Sequence, residues 1–242
     1  MNTTFPKIAI VGASLAAFAI VWVGINAASP DENNLFAGEA YAAERAVIIP
    51  APRIDAPEKG NRAVAIFAGG CFWGVEGVFE HTKGVISAVS GYHGGGKRSA
   101  SYKLVSAGMT DHAEAVRVIY DPDVISYGQL MQIFFSVVHD PTMMNAQGPD
   151  RGKHYRSALI PMNKAQAKAA RVYLAQLNAG KYWNRPIVTT VEAYKAFYPA
   201  ETNHQDFMQK NPRNGYILRW DKPKLANLKK HFSAKYRAKP VS

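Results

Sequence analysis

The 242-residue chain has a single cysteine, Cys71. No internal disulfide can form, and no cysteine-rich metal site can be built. The seven histidines include no i, i+4 pair, which excludes a helical zinc site of the H-E-x-x-H kind. Internal repeats and low-complexity tracts are missing too. Acidic residues are scarce beside basic ones, 18 against 29, and the formal charge is +11. Such a surplus suits nucleic acid, anionic lipid or an acidic partner. However, no aromatic platform of the kind used by single-strand binders is interleaved with the basic residues, so nucleic acid is not expected. The basic residues are scattered apart from Lys222, Lys224, Lys229, Lys230, Lys235, Arg237 and Lys239. Residues 221–242 therefore read as a solvated basic tail.

What is present is enough apolar material for a packed core: 48% hydrophobic residues against 19% charged. Lys7 precedes an uncharged run over residues 8–30, which Asp31 and Glu32 close. That polarity points the N-terminus to the cytoplasm and the rest outward. The run is longer than a usual signal core and just long enough to span a bilayer. Small-residue cleavage patterns occur as well, in Asn26-Ala27-Ala28 and Ala40-Tyr41-Ala42. Residues 1–30 are thus expected to be either a cleaved signal peptide or a retained membrane anchor helix. The protein is expected outside the cytoplasm, in the periplasm or on the outer face of the cytoplasmic membrane. Membrane contact is expected through residues 8–30, with the basic tail as a second candidate. Residues 31–61 show no sustained period, and Pro50, Pro52 and Pro57 break any helix there, which predicts a linker.

From residue 62 the pattern becomes that of a folded domain, expected to run to residue 220. Residues 63–67 predict a buried strand, Gly69-Gly70 a turn, and 71–80 a helix. Strands are expected over 86–92, ahead of the Gly94-Gly95-Gly96 loop, and over 114–120, stopped by Asp121-Pro122. Residues 126–138 predict a helix with Leu130, Met131, Phe134, Phe135 and Val138 on one apolar stripe. A strand over 155–160 and a helix opened by Asn163 and Gln166 as an amide capping box follow, then a strand over 188–194. Strands and helices mix without strict alternation, which favours an α+β sandwich, a sheet with helices packed on it.

The order strand, Gly-Gly, cysteine, helix sets Cys71 at a helix start. Free backbone N–H groups there stabilise a thiolate and predict a lowered pKa. Phe72 and Trp73 give the thiol an aromatic neighbourhood. The same spacing also suits a structural cysteine capped by core aromatics.

The block Gly70-Cys71-Phe72-Trp73-Gly74 resembles the signature of the A-type peptide methionine sulfoxide reductases. The likeness continues in order and spacing. It includes Gly91-Tyr92, Tyr102, Asp111-His112-Ala113-Glu114-Ala115-Val116, Tyr120-Asp121-Pro122 and His139-Asp140-Pro141-Thr142. It goes on through Gln147-Gly148-Pro149-Asp150, Tyr155-Arg156-Ser157-Ala158, Phe197-Tyr198-Pro199-Ala200-Glu201 and His204-Gln205, covering about residues 63–212. The resemblance implies a two-layer sandwich with a ferredoxin-like core and no metal or bound organic cofactor. It implies reduction of the S epimer of methionine sulfoxide, in oxidised proteins and peptides or free. In this chemistry the cysteine becomes a sulfenic acid that thiols reduce.

By the same resemblance, Glu114 is the proton donor, and Tyr102 and Tyr155 hydrogen-bond the sulfoxide oxygen. Asp150 holds the substrate backbone, Phe72 and Trp73 clasp its methyl group, and His204 plays a supporting part. Strand periodicity independently sets Glu114 on one face with Val116, Val118 and Tyr120, where a carboxyl should keep its proton longer. The chain departs from the pattern in three places. Resolving cysteines are missing, so the reductant must be an external thiol: a thioredoxin-like protein, a glutaredoxin or a small thiol. Ala146 stands where relatives often have a basic residue, and His154 where they often have glutamine. Two other readings compete with the reductase: a Cys-His hydrolase, for which histidines exist but no signature, and a non-enzymatic, membrane-tethered module for anionic surfaces.

Overall fold

A computed structural model describes Met1 and residues 45–241. The expected signal or anchor over 1–30, and the first part of the expected linker, lie outside the described residues. Among the described residues no helix is long and apolar enough to cross a membrane.

The chain begins with β1 (Ala63–Gly69), α1 (Phe72–Glu80), β2 (Val85–His93), the short α2 (Tyr102–Ser106) and β3 (Ala113–Tyr120). Helix α3 (Tyr127–Ile133) opens with a full capping box between Ser126 and Gln129 and runs into a π-helical turn over Phe134–Val138. A small hairpin, β4 (Ala146–Gln147) and β5 (Asp150–Arg151), comes next, followed by β6 (Ser157–Ile160) and α4 (Lys164–Gly180). The chain ends with β7 (Thr190–Val191), β8 (Phe197–Pro199), α5 (Phe207–Lys210), a π turn over Ile217–Asp221 and α6 (Lys222–His231). Six strands make one sheet in the order β7-β6-β1-β3-β2-β8, antiparallel except for the β6–β7 edge. The fold is therefore mixed α/β, with helices packed on the sheet.

Strand alternation divides the apolar residues between the two faces. Phe67 points to the helical side, where its ring meets Phe79 at 4.9 Å and Phe134 at 5.1 Å. Its neighbours Ile66 and Ala68 join a smaller cluster with Ala113, Ala115, Ala158 and Ile160. Val116, Val118 and Tyr120 belong to the main core, and the same parity carries Glu114 onto that face.

Two segments differ from expectation. Residues 45–61, expected within a linker, are an extended strap bound to the helices. Ile49 is buried, its carbonyl accepts from Gln132 at 2.8 Å, and the Pro50 carbonyl accepts from Tyr173 at 2.8 Å. Asp55 accepts the N–H of Gly128 at 2.7 Å. The strap shows no period because side chains of α3 and α4, not a helix or sheet of its own, satisfy its backbone. Residues 221–241 are likewise not a free tail. Leu228, Asp221 and Lys224 are buried, and Leu225, Phe232 and Tyr236 pack on the core. The lysines mask an apolar stripe at helical spacing. Beyond α6 the chain is pinned by Lys83 N–H to the Lys235 carbonyl at 2.7 Å and Arg237 N–H to the His81 carbonyl at 2.8 Å.

Smaller differences have local causes. Only half of the Asn163–Gln166 box forms: Asn163 accepts the Gln166 N–H at 2.8 Å, but the Gln166 amide turns to Glu58 and to the Val64 carbonyl. The strand expected over 188–194 shrinks to Thr190–Val191, although the Glu192 N–H still donates to the Leu159 carbonyl at 2.9 Å.

Candidate active site

The site is built where β1 turns into α1. Gly70 has φ +89°, and an added Cβ would sit 2.5 Å from the Gln147 side chain, so only glycine fits this turn. Cys71 follows as the N-cap of α1 and is 7% exposed. The next N–H, that of Phe72, donates to Glu114 Oε2 at 3.0 Å. Glu114 is buried, and this burial lifts its pKa to about 8, with the Asp150 charge adding and the Phe72 N–H opposing. At neutral pH the carboxyl keeps its proton.

The thiol departs from the sequence expectation. Burial pushes the Cys71 pKa up, and the charges of Glu114, Asp221 and Asp150 push the same way. The Trp73 N–H pulls it down, but the helix start does not outweigh desolvation among carboxylates. In the free protein Cys71 is a thiol. Two of these acids, Asp150 and Asp221, come from segments far along the chain and are invisible in the local pattern around Cys71.

The aromatic residues surround His204. Trp73 donates its indole N–H to His204 Nδ1 at 3.2 Å and stacks face to face on Phe207, with centroids 3.7 Å apart. Tyr102 lies 4.2 Å and Phe72 5.4 Å from the same imidazole, centroid to centroid. Glu201 clamps this wall: one oxygen accepts the Tyr102 N–H at 2.8 Å and the other the Tyr92 hydroxyl at 2.7 Å. Tyr102 and Tyr155 have pKa values raised by burial and by the Glu114 charge, so their hydroxyls stay protonated donors. Asp150, on β5, accepts the hydroxyl of Tyr216 at 2.5 Å. His154 packs on the Tyr155 ring at 4.1 Å. Thus Cys71, Glu114, Tyr102, Tyr155, Phe72, Trp73 and Asp150 all come to one locality, linked by these contacts and by their mutual charges.

Sequence reasoning missed Tyr216, Asp221, Lys224 and Phe207. Tyr216 sets its ring edge-on to Trp73 at 5.8 Å. Asp221 pairs with Lys224 at 3.3 Å with both side chains buried, and its carboxylate lies against Gly74, where a Cβ would come within 2.1 Å of it. The i, i+3 spacing of an acid and a lysine was visible, but it sits in a lysine-rich stretch that reads as solvated surface. Among the described residues, no group of three or more His, Cys, Asp and Glu side chains is placed to hold a metal ion.

A buried thiol, a protonated carboxyl and two tyrosine hydroxyls beside an aromatic wall define a thiol-based oxidoreductase site. A family model described as peptide methionine sulfoxide reductase matches residues 63–236. The peptide methionine sulfoxide reductase MsrA 2 of Mesorhizobium japonicum is 55% identical over 73% of this chain and 91% of its own. The MsrA 2 of Synechocystis is 45% identical over 79% and 91%. Among solved structures, Mxr1 from Saccharomyces cerevisiae in reduced form aligns with a TM-score of 0.59 at 33% identity, covering 67% of this chain and 92% of that one. Methionine sulfoxide reductase A of Corynebacterium diphtheriae aligns with 0.54 at 29%, covering 72% and 90%. The chain belongs to the peptide methionine sulfoxide reductase family, A type, and is a single-cysteine member of it. It is an oxidoreductase that reduces methionine sulfoxide.

Proposed function

We propose that the chain reduces the S epimer of methionine sulfoxide, peptide-bound or free, through a sulfenic acid on Cys71 that an external thiol regenerates. The observation that carries this reading is the hydrogen bond tying protonated Glu114 to the N–H of Phe72, the residue next to the thiol. The Cys71 sulfur attacks the sulfoxide sulfur while Glu114 delivers a proton to its oxygen, with Tyr102 and Tyr155 donating hydrogen bonds to that oxygen. This forms a bond between the Cys71 sulfur and the substrate sulfur; the protonated oxygen then passes to the Cys71 sulfur as that S–S bond and the substrate S–O bond break, methionine leaves, and Cys71 carries S–OH. The proton of the original thiol returns to Glu114, so thiol plus sulfoxide becomes sulfenic acid plus thioether. Phe72 and Trp73 hold the substrate methyl group, and Asp150 accepts a substrate backbone N–H.

A thiol then attacks the sulfenic sulfur, releasing water and leaving a mixed disulfide that a second thiol resolves. With one cysteine in the chain, both thiols come from a thioredoxin-like protein, a glutaredoxin or a small thiol. Assay of the full chain on each resolved epimer tests the proposal; consumption of the R epimer in preference to S would sink it.

The order β6-β1-β3-β2, formed by a β-α-β-β-α-β path, supports a ferredoxin-like core in a two-layer sandwich. The uncharged run over residues 8–30 supports export, by cleaved signal or retained anchor. A reporter fused after residue 60 should be active outside the cytoplasm, and activity only inside would contradict export.

A further inference from the structure

We infer that a cavity beside the β4–β5 hairpin reads an acidic residue of the oxidised peptide, flanking the methionine sulfoxide. The inference rests on the reading of Asp150 as the holder of substrate backbone. The cavity has a volume of about 480 Å³ and is walled by Trp183 and Trp220, with Arg45, Arg151 and Arg185 at its margins. Its single carboxylate, Asp140, is already engaged. One oxygen accepts from the Thr142 N–H at 2.8 Å and hydroxyl at 2.7 Å, and the other meets Arg185 at 3.3 Å. Among the described residues no carboxylate pairs with Arg45 or Arg151. The Arg151 guanidinium is nevertheless held in place, donating to the carbonyls of Gly148 at 2.6 Å and Asp150 at 2.8 Å.

The cavity adjoins the thiol site through two shared segments. Successive strand residues face opposite sides: on β5, Asp150 bonds Tyr216 and bears on the thiol, while Arg151 lines the cavity. In the last π turn Trp220 lines the cavity, while Asp221 lies against Gly74 in the first turn of α1. An extended peptide covers about 3.3–3.6 Å per residue, so a chain held at Asp150 reaches the cavity within a few residues. Planar guanidiniums select carboxylates in forked geometry. The occupant that fits is an aspartate or glutamate side chain.

The test uses peptides with one methionine sulfoxide and a Glu/Gln or Asp/Asn pair at each of three positions on either side. Single-turnover reduction with enzyme in excess and no reductant removes any effect of reductant docking. At one or more positions the acidic peptide should react about three- to tenfold faster at sub-saturating concentration, the scale of a partly exposed charge-assisted contact. That preference should shrink as salt rises and vanish in the double variant Arg45→Gln, Arg151→Gln. If the double variant does not fold, Arg45→Gln alone should reduce it. No charge preference in active wild-type enzyme, a preference indifferent to salt, or one that survives the substitutions overturns the inference alone. Wild-type enzyme that reduces none of the peptides overturns the reductase reading as well.

Discussion

The carboxyl group of Glu114 accepts the backbone N–H of Phe72 at 3.0 Å, across 42 residues of sequence and one residue past Cys71. Strand β3 and helix α1 are thereby locked at the point where sulfur and proton must meet. With its pKa lifted to about 8, Glu114 is a donor below that pH and a spent carboxylate above it.

Replacing Glu114 with glutamine keeps a hydrogen-bond acceptor but removes the proton. The reduction step should slow by roughly 10²–10⁴-fold at pH 7, the usual contribution of a general acid. In the wild type the same step should decline as pH rises through about 8. Rapid-quench kinetics across pH 6–10 would show both. An alkaline decline that persists in the variant would assign it to another group.

Cys71 should behave as a protected thiol until substrate arrives. It is 7% exposed and its pKa is pushed up. Alkylation by iodoacetamide at pH 7 should be slower than that of a small free thiol and should accelerate toward high pH. A fast, pH-independent reaction would restore the thiolate expected from the helix start. Cys71→Ser should abolish turnover.

With one cysteine per chain, one turnover without reductant should add one oxygen to the protein mass. Dimedone should trap that species. If chains joined through Cys71 dominate instead, a second enzyme molecule serves as the resolving thiol.

Gly74→Ala should destabilise the protein by about 1–3 kcal/mol, as overpacking does, because the new methyl would meet the buried Asp221 carboxylate. Gly215→Ala, which meets nothing within 4 Å, is the control and should be near neutral. Urea denaturation distinguishes them, and equal costs would discount the Asp221 contact.

Three buried glutamates contribute to the pH dependence of stability. Burial raises Glu76 to about 7, and Glu80 and Glu114 to about 8. Between about pH 4.5, the unfolded value, and these figures, the native state holds more protons than the unfolded one. Their contribution to stability is therefore full below that window and is lost as pH rises through it. Glu80, buried beside Gln209, Glu76 and Asp206, gives one probe. Glu80→Gln should flatten the loss between pH 6 and 9 by on the order of 1–3 kcal/mol. Thermal melts with parallel slopes would remove Glu80 from this account.

The sequence made the central strands legible because β1 and β3 are short apolar runs bounded by Gly-Gly and Asp-Pro. It also made the Cys71 turn legible, since Gly69 and Gly70 announce a bend that no other residue tolerates. It hid the strap, whose contacts are side chain to carbonyl and leave no period. It hid α6 behind its lysines. The thiol pKa was misread for the same reason: a local pattern counts N–H donors on the adjacent helix, whereas Asp150 and Asp221 arrive from distant segments.

The arrival of Asp221 and Tyr216 from the end of the chain fixes an order of events. A ribosome completes β1, α1 and β3 first, so a nascent chain already holds Cys71, Phe72 and Glu114. It has no Tyr216 on Asp150 and no Asp221–Lys224 pair beneath Gly74. Of the acids that raise the thiol pKa, Glu114 is made early, Asp150 later and Asp221 last. The last segment of the chain thus brings one acidic charge and one tyrosine to the surroundings of Cys71.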